Sequence, residues 1–212
     1  MRVGILGSGL MGAKLGTLFA RAGHEVVFSY ARREQKLKKL AKEAKARAGA
    51  PDEAAKNADA LLLAVHWSRF GDVLKQAGDL SGKVIVTYSL PMNDDDTGLV
   101  VAHTSSGAEE LAKRLPTSRV VSAFNTVPSE VLFDVFENRR KAARPSLVYC
   151  GDDLRAKRVA AQLIRDVGFD AVDAGPLWIA RYTEPFALLV ARLAYEGESG
   201  PELAYRFERF GK

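Results

Sequence analysis

The N-terminal segment combines a short apolar run, a glycine-rich turn and an amphipathic helix pattern, and this order limits the folds that the chain can adopt. Residues 3–6 read as a strand, and residues 11–22 read as a helix because apolar residues recur at helical spacing. Between them, a G-x-G-x-x-G pattern places glycines at Gly7, Gly9 and Gly12. Such a turn lets a pyrophosphate approach the backbone, and the helix N-terminus supplies N–H groups and partial positive charge. The segment therefore predicts a dinucleotide-binding unit.

The end of the second predicted strand indicates which dinucleotide is bound. An NAD site usually has Asp or Glu about 20 residues after the turn, where the carboxylate accepts a hydrogen bond from the ribose 2′-hydroxyl. This chain has no carboxylate there; Tyr30 and Ala31 are followed directly by Arg32 and Arg33. Guanidinium groups bind a 2′-phosphate, whereas a carboxylate would repel it. The sequence therefore favours NADP(H) over NAD(H).

Short apolar runs alternate with amphipathic helix patterns along most of the chain. The predicted strands cover residues 3–6, 25–30, 60–65, 83–88, 119–123, 146–150 and 171–173, and the predicted helices cover residues 11–22, 34–47, 52–57, 67–76, 106–114 and 153–167. This alternation predicts an α/β fold of the Rossmann type, with a doubly wound, mainly parallel sheet of about seven strands. We expect residues 1–175 to form the NADP-binding domain and residues 176–212 a small helical C-terminal lobe packed on it.

Charge and composition exclude several classes of protein. The chain has 212 residues and a net charge of +5, but the basic excess lies in residues 32–47. We interpret the Lys/Arg-rich helix at residues 34–47 as a local basic face and predict no nucleic-acid partner. No apolar run exceeds six residues, the length of residues 60–65, which is far too short to span a membrane, and no secretory signal is visible. Cys150 is the only cysteine, so we predict a cytoplasmic protein with no metal site.

The sequence offers no familiar catalytic acid. No tyrosine is followed by lysine four residues later, and neither a G-x-S-x-G nor an H-E-x-x-H motif occurs. His66, after the third strand, either contacts the cofactor or is structural, and residues 94–96 read as a solvated acidic turn. We therefore predict no catalytic side chain. An acceptor whose own ring takes up hydride fits this absence, because the protein then only positions two rings.

Several phrases along the chain resemble the coenzyme F420-dependent NADP oxidoreductase family. After the glycine turn, they are Ala-Gly-His-Glu-Val-Val at residues 22–27, Ala-Val-His-Trp at 64–67, Val-Val-Ser-Ala-Phe-Asn-Thr-Val-Pro at 120–128, and Asp-Ala-Gly-Pro-Leu at 173–177. The resemblance implies direct hydride exchange between NADP(H) and a deazaflavin, in a homodimer.

The resemblance also implies which residues meet each part of the two substrates. The pyrophosphate would meet Ser8, Gly9, Leu10 and Met11, and the 2′-phosphate would meet Tyr30, Arg32 and Arg33. The nicotinamide would lie beside Val65, His66 and the backbone near Ser89 and Ala123. The second ring would be bordered by Asn125 and residues 176–181.

Departures from the family pattern leave the acceptor open. The family usually has proline where His66 stands, and some members have histidine where Asn125 stands. We therefore predict that the acceptor is coenzyme F420, FMN, FAD or another molecule whose ring takes up hydride. Two other functions also fit. The first is an NADPH-dependent reductase of an imine or hydroxy acid, although such enzymes usually need a longer helical region than residues 176–212. The second is a non-catalytic NADP-binding regulator, for which residues 34–47 are the only candidate partner-binding surface.

Overall fold

The computed structural model describes residues 1–211 and contains one eight-stranded sheet with helices on both faces. The strands are β1 Arg2–Leu6, β2 Glu25–Ser29, β3 Arg47–Ala48, β4 Ala60–Leu63, β5 Val84–Thr87, β6 Arg119–Ala123, β7 Ser146–Gly151 and β8 Asp170–Asp173. The α-helices are α1 Leu10–Arg21, α2 Glu34–Glu43, α3 Pro51–Lys56, α4 Phe70–Ala77, α5 Gly107–Arg114, α6 Leu132–Glu137, α7 Leu154–Asp166 and α8 Ala180–Tyr195; short 3-10 turns precede α4 and α8.

The strand order is β3-β2-β1-β4-β5-β6-β7-β8, and every neighbouring pair is parallel except β6 and β7. The predicted Rossmann-type, mainly parallel sheet is therefore confirmed. Strand order reverses between β1 and β4, which opens a crevice at their carboxyl ends where such sheets bind ligands. Alternate strand residues enter two apolar cores: α1, α2, α6 and α7 cover one face, and α3, α4 and α5 cover the other.

Two local predictions were wrong. The basic helix ends at Glu43, not at Arg47, because Lys45 takes a left-handed backbone conformation with φ of 54°. The chain then returns to the sheet, and Arg47–Ala48 adds a short edge strand beside β2, so the sheet has eight strands instead of about seven. Helix α6 was not predicted; it buries Leu132 and Phe136 against the sheet.

The C-terminal part is helical only in its first half. Leu177 and Ala180 enter the core that α3, α4 and α5 cover, and α8 follows as far as Tyr195. The predicted helix is wrong for residues 196–211, which form neither helix nor strand. This segment runs back over the sheet, where the Tyr205 hydroxyl lies 2.7 Å from that of Thr126. The domain boundary after residue 175 stays a prediction.

Candidate functional site

The turn between β1 and α1 is tight at two of its glycines. Gly7 has a φ of +115°, a conformation that side chains disfavour, and a Cβ there would lie 2.2 Å from the carbonyl oxygen of Ala64. A Cβ on Gly12 would lie 1.9 Å from the carbonyl oxygen of Gly7. No larger residue fits at either position. These close approaches allow helix α1 to start directly behind the crevice at the end of β1.

The N-terminus of α1 is open toward this crevice. Gly9 is its N-cap, no side chain caps the helix, and its first turn contains no acidic residue. A Cβ on Gly9 would meet no atom within 4 Å. The first amide groups of a helix have no partner within the helix, so the turn presents free N–H donors, partial positive charge and empty space together. This is the arrangement that an anionic pyrophosphate requires.

A cavity of about 790 Å³, here called the nucleotide cavity, adjoins this turn. It lies at the carboxyl ends of β1, β2 and β4, and α2 and α4 form its sides. The structure brings eight of the predicted site residues to its wall: Gly7, Ser8, Gly9, Tyr30, Arg32, Arg33, Val65 and His66. A volume of this size is within the usual range for a cofactor site.

One end of the nucleotide cavity is strongly basic. Arg32, Arg33 and Lys36 are exposed there, and the 3-10 turn before α4 adds Arg69 from the opposite side. Within residues 1–211, none of these four cations forms a salt bridge, whereas Glu34 on the same rim is paired with Lys38 at 2.5 Å. The guanidinium groups are thus available for a phosphate dianion.

Besides Glu34, a second carboxylate lines this cavity, and it comes from a distant part of the chain. The Tyr30 hydroxyl donates a hydrogen bond of 2.5 Å to Asp72 on α4, and the Gln76 amide donates to the same carboxylate at 3.0 Å. Burial and then this hydrogen bond raise the pKa of Tyr30. The prediction assigned Tyr30 to the 2′-phosphate; in the structure, its hydroxyl already has an acidic partner that sequence reasoning missed.

His66 lies at the inner part of the nucleotide cavity, held by both ring nitrogens. The Ser68 backbone N–H donates to Nδ1 at 3.2 Å, so Nδ1 carries no proton. In the neutral ring the proton is therefore on Nε2, which lies 3.2 Å from a carboxylate oxygen of Asp96. As predicted, residues 94–96 lie in an exposed turn; Asp96 contacts His66 from this turn and does not itself line the cavity.

A second cavity of about 170 Å³, here called the acceptor cavity, lies beside the first. Its wall is mostly apolar and is formed by the start of α1, the loops after β5 and β6, and α8. Three predicted site residues, Leu10, Met11 and Asn125, line this cavity and not the nucleotide cavity. Tyr88 lines both, so the two cavities meet at its side chain.

The remaining predicted residues lie behind the cavity walls. Ser89 is buried and its hydroxyl donates to the Val65 carbonyl at 2.6 Å, which joins the ends of β4 and β5. Ala123 is fully buried at the end of β6. Residues 176–181 line neither cavity; the α8 residues Ala187, Val190, Ala191 and Tyr195 do so for the acceptor cavity.

A buried carboxylate attaches α8 to the sheet domain. Glu184 is 1% exposed and accepts hydrogen bonds from the Gly107 and Ala108 backbone N–H groups, at 2.8 and 3.0 Å, at the start of α5. Burial raises its pKa to about 7. Beside it, Arg181 binds Glu109 through two hydrogen bonds of 2.7 and 2.9 Å. These contacts position the α8 wall of the acceptor cavity.

Neither a metal cluster nor a membrane span is found in the part of the chain that the structure describes. Residues 1–211 contain no group of three or more His, Cys, Asp or Glu side chains arranged to bind a metal ion. None of the helices in the same residues is both long and apolar enough to cross a bilayer.

Comparison with known proteins relates the chain to nicotinamide-dependent reductases. Residues 2–91 match the family model described as NADP oxidoreductase, coenzyme F420-dependent. The chain is 31% identical over 147 residues to the F420-dependent NADP reductase of Methanocaldococcus jannaschii, covering 66% of this chain and 64% of that protein. It is 29% identical over 187 residues to metalloreductase STEAP3 of Rattus norvegicus, covering 88% of this chain and 36% of that protein.

A solved structure shows the same fold along the whole chain. The crystal structure of a proposed F420-dependent NADP reductase from Arthrobacter sp. FB24 superposes with a TM-score of 0.86, at 23% identity over 99% of this chain and all of that one. By contrast, the chain spans only 36% and 64% of the lengths of the two curated relatives named above. These matches confirm the resemblance predicted from the sequence: residues 2–91 of this chain are similar to the coenzyme F420-dependent NADP oxidoreductase family.

Proposed function

We propose that this protein is an NADP(H)-dependent oxidoreductase that transfers hydride directly between the nicotinamide and the ring of a deazaflavin or flavin. The observation that carries this proposal is that two cavities of different chemistry meet at one side chain, Tyr88. One offers free helix amides and unpaired cations, and the other is small and apolar.

The nucleotide cavity fits NADP(H) along its whole length. The α1 N-terminus at Ser8 and Gly9 would bind the pyrophosphate, and Arg32 and Arg33 would bind the 2′-phosphate. Arg69 faces them from the 3-10 turn before α4, so the phosphate would lie between cations of two elements. Four cations outnumber the carboxylates of Glu34 and Asp72 on this wall, which supports the phosphorylated cofactor.

The inner end of the nucleotide cavity would hold the nicotinamide. Val65 and His66 follow β4 at this end, and the Ser89 hydroxyl fixes the Val65 carbonyl from behind. Buried Ala123 leaves no side chain that would obstruct the end of β6. Leu10 and Met11 lie on the acceptor side of the same turn, so the nicotinamide would be exposed toward the acceptor cavity.

The acceptor cavity fits the edge of a flat ring system. Its volume of about 170 Å³ is well below the roughly 300–1,000 Å³ of sites that enclose a whole ligand. A deazaflavin or flavin would therefore insert one edge between Met11, Val127 and Val190, with the rest of the molecule over the exposed Leu10. Both rings carry the hydride chemistry themselves, and the protein supplies proximity, orientation and partial exclusion of water.

A homodimer is part of the same proposal. Trp178, Tyr182, Leu189 and Leu193 are each between 46% and 60% exposed and fall on one side of α8 and the turn before it. A contiguous apolar face of this kind marks an interaction surface. The opposite side of α8 lines the acceptor cavity, so a second copy bound here would brace that wall. Sedimentation of Leu189→Lys with Leu193→Lys should show a monomer where the wild type shows a dimer.

The function is tested by comparing acceptors under one set of conditions. NADPH oxidation is measured with coenzyme F420, FMN, FAD and ferric chelates in parallel, and NADPH and NADH binding are measured by calorimetry. We expect tight NADPH binding and turnover with F420 or a flavin. Tight NADPH binding without turnover of any acceptor would favour a non-catalytic NADP-binding regulator, and turnover of imines alone would favour an imine reductase.

A further inference from the structure

The junction of the two cavities contains one polar group that the proposed function does not yet use. Tyr88 follows β5 directly, is half-buried, and lines both the nucleotide cavity and the acceptor cavity. Among residues 1–211, it is the one residue common to the linings of the two cavities. A tyrosine in this position acts either as an inert wall or as a proton donor.

The other polar side chains of the acceptor cavity already have hydrogen-bond partners. The Tyr195 hydroxyl donates to Glu130 at 2.7 Å, the Ser129 hydroxyl lies 3.1 Å from the Lys14 ammonium, and the Asn125 amide donates to Ser122 at 3.2 Å. Within residues 1–211, the Tyr88 hydroxyl has no hydrogen-bond partner. It is the free donor at the position where the two rings would meet.

The surroundings keep this phenol protonated. Burial, and then the nearby negative charge of Asp96, raise the pKa of Tyr88 above its ordinary value. Asp96 itself contacts the Nε2 of His66 at 3.2 Å. A phenol that stays neutral at working pH can donate a hydrogen bond to an acceptor that gains negative charge.

We infer that Tyr88 is the proton donor for the reduction of the acceptor and therefore a catalytic residue. Sequence reasoning missed it because no lysine follows it four residues later, as in the Tyr-x-x-x-Lys motif. This inference rests on the proposed function. In the step, the C–H bond at the nicotinamide breaks, and its hydrogen and electron pair form a new bond to the acceptor ring, to a carbon in a deazaflavin and to a nitrogen in a flavin. The Tyr88 O–H proton goes to another ring nitrogen of the acceptor, which has gained the negative charge, and a proton from water restores the phenol.

The test compares Tyr88→Phe with a matched control, Tyr149→Phe, because Tyr149 lies on β7 and lines neither cavity. Single-turnover oxidation of bound NADPH by FMN is followed in H2O and D2O. We expect Tyr88→Phe to slow this step about 100-fold and to abolish its solvent isotope effect, with NADPH affinity within about twofold of wild type because the ring is retained. Tyr149→Phe should match the wild type.

A second readout does not depend on turnover. With ring-labelled tyrosine, the Cζ resonance of Tyr88 is assigned by its loss in Tyr88→Phe, and it should shift on addition of oxidised FMN. Turnover at the wild-type rate in Tyr88→Phe, an unchanged solvent isotope effect, or an unmoved Cζ resonance would each overturn the inference while leaving the proposed function intact. If the wild type binds NADPH but reduces neither FMN nor F420, the proposed function itself fails, and this inference fails with it.

Discussion

The two cavities of this protein are built in different ways. The nucleotide cavity takes most of the groups that we propose to bind phosphate from two short stretches, residues 7–12 and 30–36, which lie at the ends of neighbouring strands; Arg69 is the exception. The acceptor cavity takes its wall from four separate elements, including α8 near the C-terminus. Backbone amides and arginines recognise phosphate through local geometry and charge, whereas an apolar slot exists only when distant elements pack together. Binding of NADP(H) and choice of acceptor are therefore separable properties.

The strongest test of this difference is a substitution in the glycine turn. Gly9→Ala should weaken NADPH binding about 1,000-fold, because the new methyl group would displace the pyrophosphate and lose about two charge-assisted hydrogen bonds of roughly 2 kcal/mol each. Its Cβ meets no atom within 4 Å, and its φ of −75° suits alanine, so the melting temperature should not change. Calorimetry and thermal unfolding measure both properties.

Two other glycines provide controls for this experiment. Gly71→Ala, on the exposed side of α4, also meets no atom within 4 Å and should leave NADPH binding unchanged. Gly12→Ala should lower stability as well as binding, because its Cβ would overlap the Gly7 carbonyl. If Gly9→Ala retains wild-type affinity, the pyrophosphate does not bind at this turn.

The acceptor side should be the pH-sensitive side. Glu184 has a pKa of about 7 in the folded protein, above its ordinary value of 4.5. A carboxyl whose pKa is raised by folding stabilises the protein when protonated, so its contribution is lost as pH rises from about 4.5 through 7. This group lowers the free energy of unfolding by up to about 3 kcal/mol between pH 4.5 and 8.

The substitution Glu184→Gln should remove that dependence. Denaturant unfolding at pH 5 and pH 8 measures the change, and the wild type should lose more stability than the variant over this interval. Glu198→Gln, at an exposed position, serves as the control and should behave like the wild type. A variant with the wild-type pH dependence would show that Glu184 does not titrate in this range.

Cofactor choice should depend on the two arginines after β2. Arg32→Ala combined with Arg33→Ala should weaken NADPH binding about 30-fold, close to 2 kcal/mol, because the 2′-phosphate loses its charge-assisted hydrogen bonds. NADH binding should change less than about threefold, since NADH has no 2′-phosphate. Arg140→Ala with Lys141→Ala removes the same charge from an exposed site outside both cavities and should leave both affinities unchanged. Equal losses for NADPH and NADH would contradict the assignment.

The smallest expected effect is at the carboxylate that faces these arginines. Asp72→Asn should tighten NADPH binding about threefold at low salt, because it removes one negative charge from the basic end of the nucleotide cavity. NADH affinity should not change. Asp79→Asn, just beyond the C-terminus of the same helix and outside the cavity, is the matched control. An effect that persists in high salt would indicate a structural role of the Tyr30–Asp72 hydrogen bond.

Sequence patterns predicted the elements whose causes are local. Helix α5 lies within the predicted residues 106–114, and the hydroxyl of its N-cap, Ser106, accepts the Glu109 N–H at 3.1 Å. The edge strand β3 was not predicted because two residues are too few to show the alternation of apolar and polar residues that marks a strand. Helix α2 was predicted to be longer than it is because lysine and alanine favour helix up to Arg47. The C-terminal segment 196–211 was misread as helix, although its contacts with the sheet determine its path.

The order of strand, glycine turn, helix and paired arginines determined the fold class and the preferred nucleotide, because each depends on residues within about 30 positions of one another. The tertiary structure decided which side chains face each other. Asp72 meets Tyr30, Asp96 meets His66, and Glu184 meets the start of α5, across 42, 30 and 77 positions of the chain respectively. Such pairings depend on how helices dock on a twisted sheet, and no local periodicity encodes them. The junction at Tyr88 exists for the same reason: two cavities share a wall only after α8 has packed over the end of the sheet.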